Sequence, residues 1–190
     1  MVDMIHVGLH KTGTSWLQYE VFPRISKQII SNELFSGRPF RLTIDDIIDT
    51  NERFHYAEIL RKTFGDVKIL VGLREKDSLV ASLYSQYLKG GGAVNFDIWK
   101  DTQLNRKYLD YDSYTAYLKK LFSDVKVYWY EEMNENKKLF IEELCTWLGC
   151  DVPDYNDYVI NKGLTKYQKK RYWIKNNIKQ MKIDFRRLLE

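Results

Sequence analysis

Between Gly8 and Ser15 the chain reads Gly-Leu-His-Lys-Thr-Gly-Thr-Ser. Glycines at both ends of a short turn, the hydroxyls of Thr12, Thr14 and Ser15 and the ammonium of Lys11 are groups that together bind an anion. The apolar run from Met4 to Val7 fits a buried strand, and the segment from Ser15 to Phe22 reads as a helix that stops at Pro23. A strand, a glycine-bearing turn and a helix in that order surround one anion with backbone N–H groups and the positive end of a helix. A nucleoside triphosphate loop places its lysine directly after the second glycine. Here Thr14 stands at that position and Lys11 lies inside the loop. Triphosphate chemistry also needs a carboxylate on magnesium, for which Glu131 and Glu132 after Val127-Tyr-Trp-Tyr are candidates. On these residues alone, a kinase with a deviant loop and a non-catalytic nucleotide-binding module both stay open.

The stretch from Val7 to Gln18 closely resembles the 5′-phosphosulfate loop of sulfotransferases, enzymes that use 3′-phosphoadenosine 5′-phosphosulfate (PAPS) and release the bisphosphate PAP. A second stretch agrees: Leu73-Arg74 at the end of an apolar strand, then Ser82-Leu-Tyr84, looks like the family's 3′-phosphate motif. The resemblance implies donor-binding roles for Lys11, Thr12, Gly13, Thr14, Ser15, Arg74 and Ser82. A guanidinium offers parallel donors to a phosphate, and a serine on the next helix can close the same site. Weaker similarities lie at Tyr130-Glu131-Glu132, which makes those carboxylates structural by analogy, at Trp147-Leu-Gly149, and at Asn161-Lys162-Gly163-Leu164, where the family has a nucleotide-covering loop.

The resemblance also implies a mechanism without a metal. Lys11 would stabilise the leaving phosphate as its bond to sulfur breaks. The family takes the acceptor's proton with a His or a Glu, and its Glu-using members place theirs in a segment similar to Ser31-Asn-Glu-Leu-Phe35, which makes Glu33 the first candidate base. His10, inside the loop, is the alternative base, or shapes the loop or contacts the acceptor. The acceptor implied is a hydroxyl of a carbohydrate or small molecule. Phe35, Tyr87, Trp99 and Tyr108 are candidates to line a sugar site, and Arg38 and Arg41 to meet an acidic one, beside the simpler reading that each is structural.

Alternating strands (around Met4–Val7, Gln28–Ser31, Val67–Leu73 and Val125–Tyr130) and helices position these groups. They imply an α/β fold, a three-layer sandwich of P-loop type with a central parallel sheet flanked by helices. Helices are expected over 43–49, 53–64, 77–88, 112–122 and 136–148, whereas 91–110 is ambiguous. His55 falls on a helix and His6 in the first strand, where packing explains it. The chain of 190 residues suits one domain, 1–164, followed by a basic helix over 165–190. In that helix Tyr167, Ile174, Ile178, Met181, Phe185 and Leu188 recur at helical spacing among many lysines and arginines. The simplest expectation is packing by the apolar stripe, with a basic face meeting an anionic surface, or a homodimer through the helix, as alternatives. A net charge of +4 does not argue for nucleic acid. Cys145 and Cys150 suit reduced thiols. With no window of membrane-span length and no signal-peptide pattern, a soluble cytoplasmic protein is expected.

Overall fold

The computed structural model of the chain describes residues 1–43, 45–157 and 163–187. Four strands, β1 (Met4–His6), β2 (Ile29–Ser31), β3 (Lys68–Leu73) and β4 (Val125–Trp129), form one parallel sheet in the order β2-β1-β3-β4. Alternation along the strands divides the core between two faces. Ile5, Ile69 and Val71 pack with Leu60, Leu79, Leu83 and Leu118 on one side. Met4, Leu70 and Tyr128 pack with Leu17, Val21, Ile141 and Leu144 on the other. Helices α2 (Glu52–Phe64), α3 (Lys76–Lys89) and α5 (Tyr111–Leu121) supply the first layer. The third layer is formed by α1 (Thr14–Trp16) with the turns that follow it, and by α7 (Lys137–Leu148). The expected three-layer sandwich is present.

The order of the strands places the site. The chain winds from β1 outward to β2 and then returns past β1 to β3 and β4, so the direction reverses between β1 and β3. A crevice opens beyond the carboxyl ends of strands at such a reversal. The loop after β1 and Arg74 after β3 both lie there.

Three sequence expectations change. Residues 43–49 are not helical where described: the Asp46 carboxylate accepts from the backbone N–H groups of Leu42 and Thr43 at 2.9 and 2.8 Å. Those N–H groups are ones a helix from Thr43 would leave without an intrahelical partner; the contact closes a single turn, with Asp46 N donating to Thr43 O at 3.4 Å. The helix after the glycine loop does not end before Pro23. It passes from α1 through a π-turn, Leu17–Val21, into a 3₁₀ turn, Phe22–Arg24, whose first positions tolerate proline. The ambiguous stretch contains α4 (Phe96–Thr102), capped by the Asn95 side chain, and a 3₁₀ turn, Arg106–Leu109. Between β4 and α7 lies α6 (Tyr130–Glu135).

The C-terminal helix, α8 (Lys166–Arg187), packs along α3, but not by its apolar stripe. Asn176 is the buried residue at the contact, and its amide donates to the carbonyls of Leu88 and Gly92 at 2.8 and 2.7 Å. Asn177 donates to Ala93 O and Lys169 to Ala81 O. The reason is polar satisfaction: the glycine-rich turn after α3 leaves carbonyls that need donors when covered. Among the described residues no helix is long and apolar enough to cross a membrane. Asn176→Leu should leave Gly92 O without this donor and Leu88 O with the Gly91 N–H at 3.2 Å as its remaining partner, costing roughly 1–3 kcal/mol. Hydrogen exchange should then rise along α8 while β1–β4 stay protected. Unchanged exchange would show that the amide is not what holds the helix.

Candidate functional site

The loop is fixed from below. After β1 the chain stays in ladder register with β3, Val7 N donating to Leu70 O and Leu9 N to Gly72 O. It then turns through Lys11 (φ 68°) and Gly13 (φ 85°) into α1. A side chain in the left-handed region costs about 1–3 kcal/mol and persists where its surroundings hold it, as they do here. The Thr12 hydroxyl donates to Leu9 O at 2.6 Å, and Arg74 Nη1 donates to the Lys11 carbonyl at 2.8 Å. The Tyr128 hydroxyl donates to Thr12 O at 3.1 Å. His6 Nε2 lies 3.1 Å from the same hydroxyl and its Nδ1 lies 2.8 Å from Ser31 Oγ. Since Tyr128 gives its hydrogen to the carbonyl, it accepts from His6 Nε2–H, and Nδ1 accepts from Ser31. Gly8 and Gly72 make room for this network: a Cβ on Gly8 would collide with the His6 ring, and one on Gly72 with the Tyr128 hydroxyl.

Above the loop is a cavity of about 400 Å³. Its walls bring together Lys11, Gly13, Thr14 and Ser15 from the loop, Glu33 from the turn after β2, and Arg74 and Ser82 from β3 and α3. Thr12 is buried and holds the loop from within, and His10 lies behind Glu33 without lining the cavity. The Arg74 guanidinium lies over the Tyr130 ring, 4.4 Å from its centre, and donates from Nε to Ser78 Oγ at 2.8 Å. Ser78 and Ser82, four residues apart, share a face of α3, and Arg74 reaches the first of them from the link before the helix. Glu131 Oε1 is 3.8 Å from Arg74, and Oε2 accepts from the Glu75 backbone N–H. This turns the carboxylate that a magnesium site would need toward Arg74.

Charges are crowded at the mouth. Burial, reinforced by Lys89 and Arg74, holds the Lys11 pKa below its ordinary value, against an opposing pull from Glu33. Burial raises Glu33, with Lys11 working the other way. His10 is lowered to about 4 by burial and by Lys11, so it is neutral at neutral pH and its 3.9 Å approach to Glu33 is not an ion pair. Hydrogen bonds fix its tautomer. Ser36 Oγ donates to Glu33 O at 2.6 Å, so across the 2.9 Å contact between the Ser36 and Tyr108 hydroxyls the hydrogen is Tyr108's. The Tyr108 oxygen then accepts from His10 N–H at 2.9 Å and from His10 Nδ1–H at 2.8 Å. This leaves the lone pair on Nε2, facing Glu33.

Several site residues escaped the sequence reading: Ser85, Gln86 and Lys89 on α3, and Trp16, Tyr130, Met133 and Lys137 on the opposite wall. The spacing of Ser78, Ser82, Ser85 and Lys89 along one helix face was the available signal for the first group. Tyr87, Trp99 and Tyr108 are core residues and do not line a sugar site, since aromatic rings and helix α3 enclose them. Phe35 packs against that core, and Arg38 pairs with Glu52. His55 is exposed and pairs with Asp49. Lys162 and Asn161 lie outside the described residues. Among those described, no group of three or more His, Cys, Asp or Glu could hold a metal ion.

No protein-family model and no curated protein matches the chain. Solved structures do match. A sulfotransferase from Alicyclobacillus acidocaldarius aligns over 93% of this chain and 92% of its own, with a TM-score of 0.62 and 12% identity. Mouse sulfotransferase SULT7A1, solved with PAP, aligns over 95% of this chain and 66% of its own, with a TM-score of 0.50 and 14% identity. The chain has the sulfotransferase fold. Within it, the loop after β1 and Arg74 after β3 share one cavity.

The buried histidines make the fold acid-sensitive. His6 is lowered to about 3 by burial, so folded and unfolded chains are both neutral there above pH 6.5, and below it only the unfolded chain takes up the proton. Stability is therefore lost as pH falls from 6.5, by about 1.4 kcal/mol per pH unit for each such histidine. Urea unfolding across that range should show a slope near two protons, from His6 and His10, and His6→Asn should lower it by about one. A slope indifferent to His6 would mean that the ring titrates normally in the fold.

Proposed function

We propose that the protein is a sulfotransferase that moves the sulfuryl group of PAPS to a hydroxyl of a carbohydrate or other small acceptor by in-line displacement. The observation that carries this reading is the meeting of Lys11, Arg74 and Glu33 in one cavity of a sulfotransferase fold. The donor fits what the residues offer. Lys11, Thr14 and Ser15 would hold the 5′-phosphosulfate at the start of α1. Arg74 retains N–H donors beyond those given to Ser78 and Lys11 O and, with Ser82, would hold the 3′-phosphate. Trp16, Tyr130 and Met133 offer a flat apolar wall for the base.

In the reaction the acceptor oxygen attacks sulfur, its proton passes to the Glu33 carboxylate, and the sulfur–oxygen bond to the 5′-phosphate breaks. The products are a sulfate ester and PAP. The Lys11 ammonium meets the charge that develops on the departing oxygen. Glu33 is the base by position, because it lines the cavity and its raised pKa makes it a better proton acceptor than an ordinary carboxylate. His10 backs it as a neutral imidazole held by Tyr108. Glu33, Gln86 and Lys89 give the mouth polar groups suited to a polyhydroxylated acceptor.

Calorimetric titration with PAP, and with ATP and magnesium, tests the donor class. PAP should bind, and Arg74→Ala should weaken it about 10- to 100-fold, the value of a charge-assisted hydrogen bond, with little change for adenosine 5′-phosphate. Preference for ATP, or equal losses for both nucleotides, would overturn the assignment. In turnover, Lys11→Ala should lower kcat by about 10²–10³ in a folded protein.

The pH–rate profile should be bell-shaped. Its acid limb should lie above 4.5, where Glu33 ionises, and its alkaline limb below 10.5, where Lys11 loses its proton. Glu33→Gln should abolish the acid limb and cost about 10²–10⁴ in kcat. Retention of that limb by the Gln variant, with its loss in His10→Asn, would move the base to His10.

A further inference from the structure

The outward face of α8 has no task in the proposed reaction. The helix carries nine Lys and Arg against one acidic residue, Asp184, a net +8 on a chain whose total is +4. The rest of the protein is therefore net negative, and the basic charge is concentrated on this one element. The inner face is set by Lys169 and Asn176, seven residues apart, which both donate to backbone carbonyls of the α3 region. Ile174 and Ile178, two residues either side of Asn176, lie on the opposite face of a helix with 3.6 residues per turn. Exposures agree: Tyr167 69%, Ile174 42%, Ile178 50% and Met181 70%. These four recur at spacings of seven, four and three and form one continuous apolar stripe along the helix. Lys170 flanks it on one side, and Arg171, Lys175 and Lys182 flank it on the other; all four are exposed.

An apolar stripe rimmed on both sides by basic residues, on a strongly charged helix, is the pattern of a helix that lies in the headgroup region of a bilayer. We propose that α8 docks the protein on an anionic lipid surface, with Tyr167, Ile174, Ile178 and Met181 entering the interface and the flanking Lys and Arg meeting lipid phosphates. Charge complementarity selects this occupant over a second α8. Two copies joined stripe to stripe would bring their basic rims together, and like charges in contact are unfavourable. The docking contact with α3 is made by the other face, so the protein need not unfold to expose the stripe. This inference is independent of the sulfotransfer reading.

Co-sedimentation of the full chain with vesicles of phosphatidylcholine, with and without phosphatidylglycerol, tests it. Binding should require phosphatidylglycerol and weaken as salt is raised. Lys175→Glu with Lys182→Glu should reduce it more than tenfold, given about fivefold per basic residue near an anionic surface. Ile178→Glu, at an exposed position that leaves the fold intact, should reduce it comparably while PAP binding is unchanged. Absence of binding, or equal binding to vesicles without phosphatidylglycerol, would overturn the proposal. So would light scattering that showed a dimer dissociated by Ile178→Glu, because the stripe would then belong to a second copy.

Discussion

The hydrogen-bonded group centred on the Tyr128 hydroxyl is the constraint from which the site follows. It joins β1 through His6 and the loop through the Thr12 carbonyl, at distances of 3.1 Å to each, and Tyr128 itself stands on β4. All of these groups are buried, so each polar atom must find its partner in the protein, and a failed bond costs the full desolvation of what it leaves unpaired. Few loop conformations satisfy that demand. The one adopted sets Lys11 at a positive φ and presents its carbonyl to Arg74. Lys11 and Arg74 are thereby tied to each other through backbone as well as through their shared cavity. Gly8 and Gly72 belong to the same constraint, since a side chain on either would occupy the place of the His6 ring or the Tyr128 hydroxyl.

That arrangement concentrates positive charge before any ligand arrives. Lys11 feels Lys89 and Arg74, and Glu33 offsets them. An anionic donor relieves the repulsion, and the half-buried setting strengthens each interaction relative to water. Glu33 is shaped by the opposite balance: burial favours its protonated form and Lys11 favours the carboxylate. A group poised between two such influences can take up a proton without being driven to keep it. The Tyr108–Ser36 pair extends the same logic to His10, whose ring is held in one tautomer by groups that themselves have no other partners to choose.

The sequence made the local parts of this legible and the non-local parts invisible. Gly8, Gly13, Lys11 and Ser15 could be read because a strand, a turn and a helix are adjacent in the chain, and four parallel strands because apolar runs alternate with helical segments. Tyr128 could not be assigned, because its function depends on β4 lying beside β3, 116 residues from Thr12. Lys89 failed for a related reason: it reads as a terminal helix charge until the fold sets it beside Lys11. Trp99 and Tyr108 illustrate the converse error, in which large aromatics suggest a ligand surface but enclose the core. At 43–49 the helical pattern closes a single turn and goes no further, with Asp46 accepting from the N–H groups of Leu42 and Thr43.

Helix α8 shows what periodicity measures. The spacing of Tyr167, Ile174, Ile178 and Met181 correctly indicates a helix with two unlike faces, but amphipathicity does not say which face turns inward. Here the carbonyls at the end of α3 and in the glycine-rich turn decide it. Once Leu88 O and Gly92 O are covered they require donors, and Asn176 supplies two N–H groups at one position, which no apolar residue can do. The polar face therefore goes in and the apolar stripe goes out. The same helix α3 that accepts Asn176 also walls the cavity through Ser82, Ser85, Gln86 and Lys89. Helix α3 thus holds α8 on one side and on the other carries Lys89, whose charge Lys11 feels.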